Sequence, residues 1–176
     1  MKCGDIKNTS EGRRFINVEL IPRMLKRFKE GDKVLFVGTD MGGWDYKTLF
    51  FNPSCLMEFV TMDIAERFNP DIVGDISNCP QIEDNSIDFL PLIGVYEFVN
   101  DKPAMFKEIN RILKPDGIAM LSLPGAGFYD SPNNHVEPWE CFEEVKPLII
   151  DEMHIIGERN GLRPTSVHCI VHKNQV

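Results

Sequence analysis

The chain has few of the residues that mark several protein classes. Its five cysteines, Cys3, Cys55, Cys79, Cys141 and Cys169, form no CxxC pair. An odd, widely spaced set argues against a zinc knuckle or a stapled secreted scaffold and suits reduced thiols in a cytoplasmic protein. Positive charge is scarce: 19 Lys and Arg face 27 Asp and Glu, for a net charge of -8. A general nucleic-acid binder needs cations for phosphates, so no nucleic-acid partner is expected. No apolar stretch approaches the length that crosses a bilayer, and no membrane partner is expected. No apolar run follows the charged N-terminal residues, as a secretory leader would require. Only four histidines occur. Two of them, His168 and His172, are four apart, which on a strand spans about 13 Å. That is too wide for one ion, so no metal site is expected. Internal repeats and low-complexity tracts are also missing.

What is present describes an ordinary folded domain. A length of 176 residues with 43% hydrophobic content is enough for one core. The charge is uneven, with nine Lys or Arg against five Asp or Glu in residues 1–33. A leading helical segment (1–32) therefore precedes an acidic body (33–176), and the two form a single domain. The basic segment reads as a solvated helix, or as a surface that meets an anionic substrate or the acidic body.

Hydrophobic periodicity gives the element order. Phe15, Ile16, Leu20, Ile21, Met24, Leu25 and Phe28 recur at three and four, predicting an amphipathic helix with a kink near Pro22. Strands are expected at Lys33–Gly38, Cys55–Asp63, Asp71–Asp75, Ser86–Val95 and Gly117–Leu123. The fourth is almost continuously apolar beyond Asp88, as a strand buried on both faces should be. A helix over Gly42–Phe51 should stop before Asn52-Pro53. The clearest helix is capped by Asp101, carries Pro103 in its first turn, and shows Met105, Phe106, Ile109, Ile112 and Leu113 on one face. Residues 124–137 form a loop, and Glu137 to about Ile149 reads as helical despite Pro147. Strands near Ile150–Glu158 and Thr165–Lys173 end the chain around an Asn160-Gly161 turn. Alternating strands and helices imply a parallel sheet covered on both faces. The last two strands lack a helix between them and should pair antiparallel. The predicted fold is a three-layer α/β sandwich, with a mostly parallel seven-stranded sheet and an antiparallel last strand.

The most informative stretch is Lys33-Val-Leu-Phe-Val-Gly-Thr-Asp-Met-Gly-Gly-Trp-Asp45. A buried strand running into a glycine turn and then a helix presents backbone N–H groups to a cofactor. A stricter nucleotide loop would have glycine where this chain has Asp40. Asp63 lies 21 residues after Gly42, which also suggests nicotinamide binding. That reading would require a second βαβαβ half, which an antiparallel ending does not supply.

These residues, their order and their spacing resemble the class I S-adenosylmethionine-dependent methyltransferases, type 11. The resemblance runs from about Lys33 to Leu123. It rests on Asp71-Ile-Val-Gly-Asp-Ile, Pro80-Gln-Ile-Glu-Asp-Asn-Ser-Ile-Asp88 and Phe106-Lys-Glu-Ile-Asn-Arg-Ile-Leu-Lys-Pro-Asp-Gly117. It implies a Rossmann-like fold, S-adenosylmethionine as cofactor and a cofactor loop containing Gly38, Thr39, Asp40 and Gly42. It further implies Asp63 on the ribose hydroxyls, where one carboxylate can hold a vicinal diol. Asp75 and Ile76 would flank the adenine, and Ile93 and Gly94 would lie beside the methionine part. The bland alternatives stay open: Asp63 or Asp40 as a helix cap, and Asp75 as a turn acid.

The chain departs from the family at Phe36 and Asp40, and at Tyr96-Glu97-Phe98, where members often have Leu-Glu-His. Tyr96 and Glu97 either face the cleft or form a strand-end turn. His135, in the loop after strand five, is the candidate base for a hydroxyl acceptor. The acidic body favours a small-molecule substrate. The resulting function is methyl transfer to a small molecule; the alternative, motivated by the departures, is a methyltransferase-like binding or scaffold protein without turnover. The sequence assigns no oligomeric state.

Overall fold

The computed structural model describes residues 11–38, 55–124, 139–159 and 163–175. Seven strands form one sheet: β1 (Lys33–Val37), β2 (Glu58–Asp63), β3 (Ile72–Val73), β4 (Ile87–Ile93), β5 (Leu113–Pro124), β6 (Ile149–Arg159) and β7 (Arg163–His172). Their order is β3-β2-β1-β4-β5-β7-β6. The first five pair parallel, whereas β7 runs antiparallel to both β5 and β6. The antiparallel ending expected from the sequence is present.

Strand alternation sorts the core into two layers. Val34, Phe36, Phe89, Ile118, Met120 and Ile170 point to one face, where Ile16, Leu20, Ile21 and Met24 cover them. Leu35, Val37, Leu90, Leu92, Ala119 and Leu121 point to the other, against α3 (Lys102–Ile112). The sheet is thus buried on both sides, which is why β4 reads as apolar from Phe89 to Ile93.

The covering segment is not one regular helix. A short α1 (Glu11–Phe15) passes through a π turn (Ile16–Leu20) into α2 (Ile21–Leu25). Pro22 has no N–H to donate, and the wide turn absorbs that gap as Ile21 bonds back to the Ile16 carbonyl. The kink expected near Pro22 therefore takes the form of a π turn. Helix α3 matches expectation, with the Asp101 carboxylate accepting the Ala104 N–H at 2.9 Å. Leu113, expected on its apolar face, is instead the first residue of β5.

The helix expected over 137–149 is largely absent among the described residues. Only α4 (Cys141–Glu144) forms. Pro147 would clash with the preceding turn and offers no N–H, so the chain leaves the helix at Val145. The helix expected at 42–51 and the turn at 160–161 lie outside the described residues. No described helix is long and apolar enough to cross a membrane.

An ionic cluster ties α3 to the 79–84 segment. The Arg111 guanidinium donates to the Cys79 and Ile82 carbonyls at 3.0 and 2.8 Å and to Glu108 at 2.8 Å. Arg111, above all, holds the Glu108 carboxyl down at about 2 from an ordinary 4.5. Because the folded value is depressed, this stabilisation is complete above 4.5 and is lost as pH falls from there toward 2. Glu108→Gln should therefore flatten the acid limb of stability against pH over that interval, read by urea denaturation.

Candidate functional site

The strand order reverses direction between β1 and β4. Chain growth moves outward from β1 through β2 to β3 on one side, and from β4 to β5 on the other. In open α/β sheets such a switch point leaves a crevice beyond the carboxyl ends of the two strands. Both strands end in glycine here. Gly38 follows β1 with φ +78° and Gly94 follows β4 with φ +65°. Residues with a Cβ rarely adopt this left-handed backbone.

Gly38 is also confined by its surroundings. Its N–H donates to the Met62 carbonyl at 2.9 Å, fixing the end of β1 to β2. A Cβ on Gly38 would lie 2.9 Å from Val95 Cγ2. The segment after β4 therefore packs directly on the end of β1. Gly38→Ala should cost about 1–2 kcal/mol from backbone strain, plus the shift of Val95. Chemical denaturation against the parent would measure it.

Asp63 ends β2 on the neighbouring strand and is 9% exposed. Its Oδ1 accepts the Ala65 N–H at 2.8 Å, and its carbonyl accepts the Gly74 N–H at 2.9 Å. The helix-cap alternative is not what forms. The carboxylate shapes a tight turn, and the following Glu66–Phe68 is a single 3₁₀ turn with no side-chain cap. Asp75 is exposed and accepts from the Ser77 N–H and hydroxyl, each at 2.8 Å. Ile76 is buried with Met62 and Val37. Ile93 is half-buried on the face covered by the N-terminal segment. Gly38, Asp63, Ile93 and Gly94 thus end three adjacent strands, β2, β1 and β4. Thr39, Asp40, Gly42 and His135 lie outside the described residues.

Of the departures from the family pattern, Phe36 is a core residue. It is 6% exposed and sits 5.8 Å from the Phe59 ring, under the N-terminal segment. Phe98 is exposed to solvent. Phe98 closes a 3₁₀ turn, Tyr96–Phe98. Tyr96 points inward and donates its hydroxyl to Glu144 Oε1 at 2.6 Å. Lys102 Nζ lies 4.8 Å from the Tyr96 ring centroid and donates to the Val99 carbonyl. Burial, then the hydrogen bond to Glu144, pushes the Tyr96 phenol well above its usual range.

Two titratable side chains at this edge were not singled out as site residues in the sequence. Glu97 Oε2 is buried with no hydrogen-bond partner among the described residues. Burial raises its carboxyl from the usual value, opposed by its own backbone N–H and by Lys102. His168 lies opposite Ser122, the residue that pairs with Ile93. Its Nε2 is 3.0 Å from Ser166 Oγ, and its ring stacks with Phe15. Burial chiefly, with His154 adding, lowers it to about 4, so it is neutral at ordinary pH. Glu97 occupies the glutamate position of the family's Leu-Glu-His pattern, whereas His168 has no motif around it. Each is identified by register and burial, which spacing does not reveal. Among the described residues no group of side chains is placed to hold a metal ion.

Comparison with known proteins adds a family. A model of a methyltransferase domain matches residues 5–121. Among solved structures, the chain is similar to a Pyrococcus horikoshii protein, at 18% identity and TM-score 0.67, over 95% of this chain and 93% of that one. It is similar to an Aquifex aeolicus S-adenosylmethionine-dependent methyltransferase, at 17% identity and TM-score 0.63, over 89% and 92%. It is also similar to a TehB-like S-adenosylmethionine-dependent methyltransferase of Corynebacterium glutamicum, at 16% identity and TM-score 0.60, over 88% and 86%. At such identities the likeness to these structures is one of fold. A search of curated proteins matched none.

Proposed function

The chain belongs to the methyltransferase-domain family, type 11, whose cofactor is S-adenosylmethionine, and on that premise we propose that it transfers a methyl group to a small-molecule acceptor. The observation that carries this reading is the pair of left-handed glycines, Gly38 and Gly94, closing the two strands that flank the switch point. They leave the backbone bare where a nucleoside with an amino-acid tail needs close approach. With a buried carboxylate one strand away at Asp63, the residues present fit that group.

Bound S-adenosylmethionine supplies a methyl group on a positively charged sulfur. The chain's own task is then mainly to hold and orient, so a missing catalytic triad is no obstacle. In this reading Gly38, Thr39, Asp40 and Gly42 form the loop that the cofactor rests on. Asp63 receives the ribose hydroxyls. Asp75 and Ile76 border the adenine, and Ile93 and Gly94 border the methionine part. His135 would take the proton from a hydroxyl acceptor. The N-terminal segment and the loop at 124–137 would bound the acceptor pocket. An overall charge of -8 supports a small molecule over nucleic acid. Free thiols at Cys55, Cys79, Cys141 and Cys169 support a cytoplasmic setting.

Calorimetric titration with S-adenosylhomocysteine tests the reading. Saturable binding well below millimolar ligand is the expected result. No heat and no thermal shift at millimolar concentration would overturn it.

A further inference from the structure

The Tyr96–Phe98 turn follows Gly94 at the end of β4 and is held on two sides. Val95 abuts Gly38 at the end of β1, and Tyr96 is anchored to Glu144 of α4. Between these anchors Glu97 carries a carboxylate whose Oε2 is shut off from water and has no hydrogen-bond partner among the described residues. A buried carboxylate oxygen left unpaired is costly, and proteins seldom keep one without use. Lys102 offers only a distant charge, since its Nζ donates to the Val99 carbonyl and faces the Tyr96 ring.

Strand order says what would reach the turn that carries that oxygen. With Asp63 at the end of β2, a ribose held there lies two strands from β4, across β1. Two strand spacings are about 10 Å. A nucleoside anchored on β2 and extending over Gly38 therefore brings the far end of its tail to the turn after β4. In this cofactor that end is an amino acid with a positively charged ammonium. Strand β1 itself brings no acid, because Val34 to Val37 are all apolar and buried, and the next acid along the chain on that side is Asp40. From Ile93 to Phe98, Glu97 is the only acidic residue.

We propose that the Glu97 carboxylate binds the ammonium of the cofactor's amino-acid tail and so fixes the methionine end beside β4. This rests on the methyltransferase reading above. It makes Glu97 a cofactor-binding residue and gives its unpaired oxygen a charge-assisted partner, which is the strong kind of hydrogen bond.

The test compares two probes on the parent and on Glu97→Gln by calorimetry. S-adenosylhomocysteine carries the ammonium, whereas 5′-methylthioadenosine has the same nucleoside without the amino acid. Glu97→Gln should weaken the first by about tenfold or more, the effect of losing one charge-assisted hydrogen bond, and leave the second unchanged. Equal affinity of parent and variant for S-adenosylhomocysteine overturns the proposal and points instead to a cationic acceptor. An equal loss for both probes also overturns it, since Glu97 would then be shaping the whole cleft. Failure of both probes on the parent protein removes the methyltransferase reading itself, a distinct result. Ligand-free Glu97→Gln should melt no lower than the parent, because the isosteric amide removes the charge of a buried carboxylate. A clear drop in Tm would show a structural bond to Glu97 and sink the inference.

Discussion

Replacing Asp63 with alanine should lower the affinity for S-adenosylhomocysteine by about 100-fold, or ~2.7 kcal/mol. A carboxylate that accepts from two ribose hydroxyls makes two charge-assisted bonds, each worth about 1.5–3 kcal/mol before competing water is counted. The buried position at the end of β2 limits that competition, since the residue is only 9% exposed. Alanine also frees the Ala65 N–H, which now donates to Asp63 Oδ1 at 2.8 Å. A small stability loss is therefore expected alongside the binding defect. Asp63→Asn separates the two. Its amide oxygen can still take the Ala65 N–H, so folding should be nearly unchanged, while the lost charge weakens the sugar contact. The expected order of affinity is parent, asparagine, alanine. If the alanine variant remains folded and binds as the parent does, Asp63 is a turn residue and the sugar lies elsewhere.

Much of the scaffold that places this carboxylate is written locally in the chain. Val34 to Val37 and Phe89 to Ile93 are apolar runs each followed by glycine, and both lie in strands of the buried sheet. Asp101 and Pro103 announce the start of α3, because a cap and a preset φ act within one turn of chain. The antiparallel ending follows from a missing crossover helix, which is also a local fact. The failures come from competition between local signals or from distant partners. Residues 137–149 carry helical periodicity, but Pro147 cannot continue the backbone pattern and only Cys141–Glu144 is helical. Pro22 signalled a kink, yet whether a helix meets a proline with a bend or with a π turn depends on the sheet surface beneath it. Glu97 shows the other limit. Its unpaired oxygen lies in a turn held by Val95 packing on Gly38 and by Tyr96 reaching Glu144, 48 residues away. No spacing rule encodes a contact of that kind.

The largest loss of stability should follow Phe89→Ala, by about 3–5 kcal/mol. Phe89 lies in β4 with no exposed surface and pairs in register with Ile118 of β5 and with Val34 of β1. Its ring sits 4.9 Å from Phe28, just beyond α2. It therefore joins three strands of the sheet centre to the segment that covers them. Removing it takes away both the transfer energy of the ring and the contacts of its neighbours, which a sheet flanked on both sides cannot close over. A domain of this size has roughly 5–15 kcal/mol in total, so the variant should lie near the edge of folding. Urea denaturation should show a lower midpoint with an unchanged slope if the loss is purely one of packing. Phe89→Leu keeps most of the volume and should recover over half of the deficit. Because β1 and β4 end in Gly38 and Gly94, loosening their shared core should also weaken cofactor binding although Phe89 lies well below the crevice. Saturating S-adenosylhomocysteine should raise the variant's Tm, since a ligand that binds only the folded state shifts the equilibrium toward it. A variant whose midpoint falls by less than the equivalent of 1 kcal/mol would mean that the N-terminal segment does not pack on β4 as described.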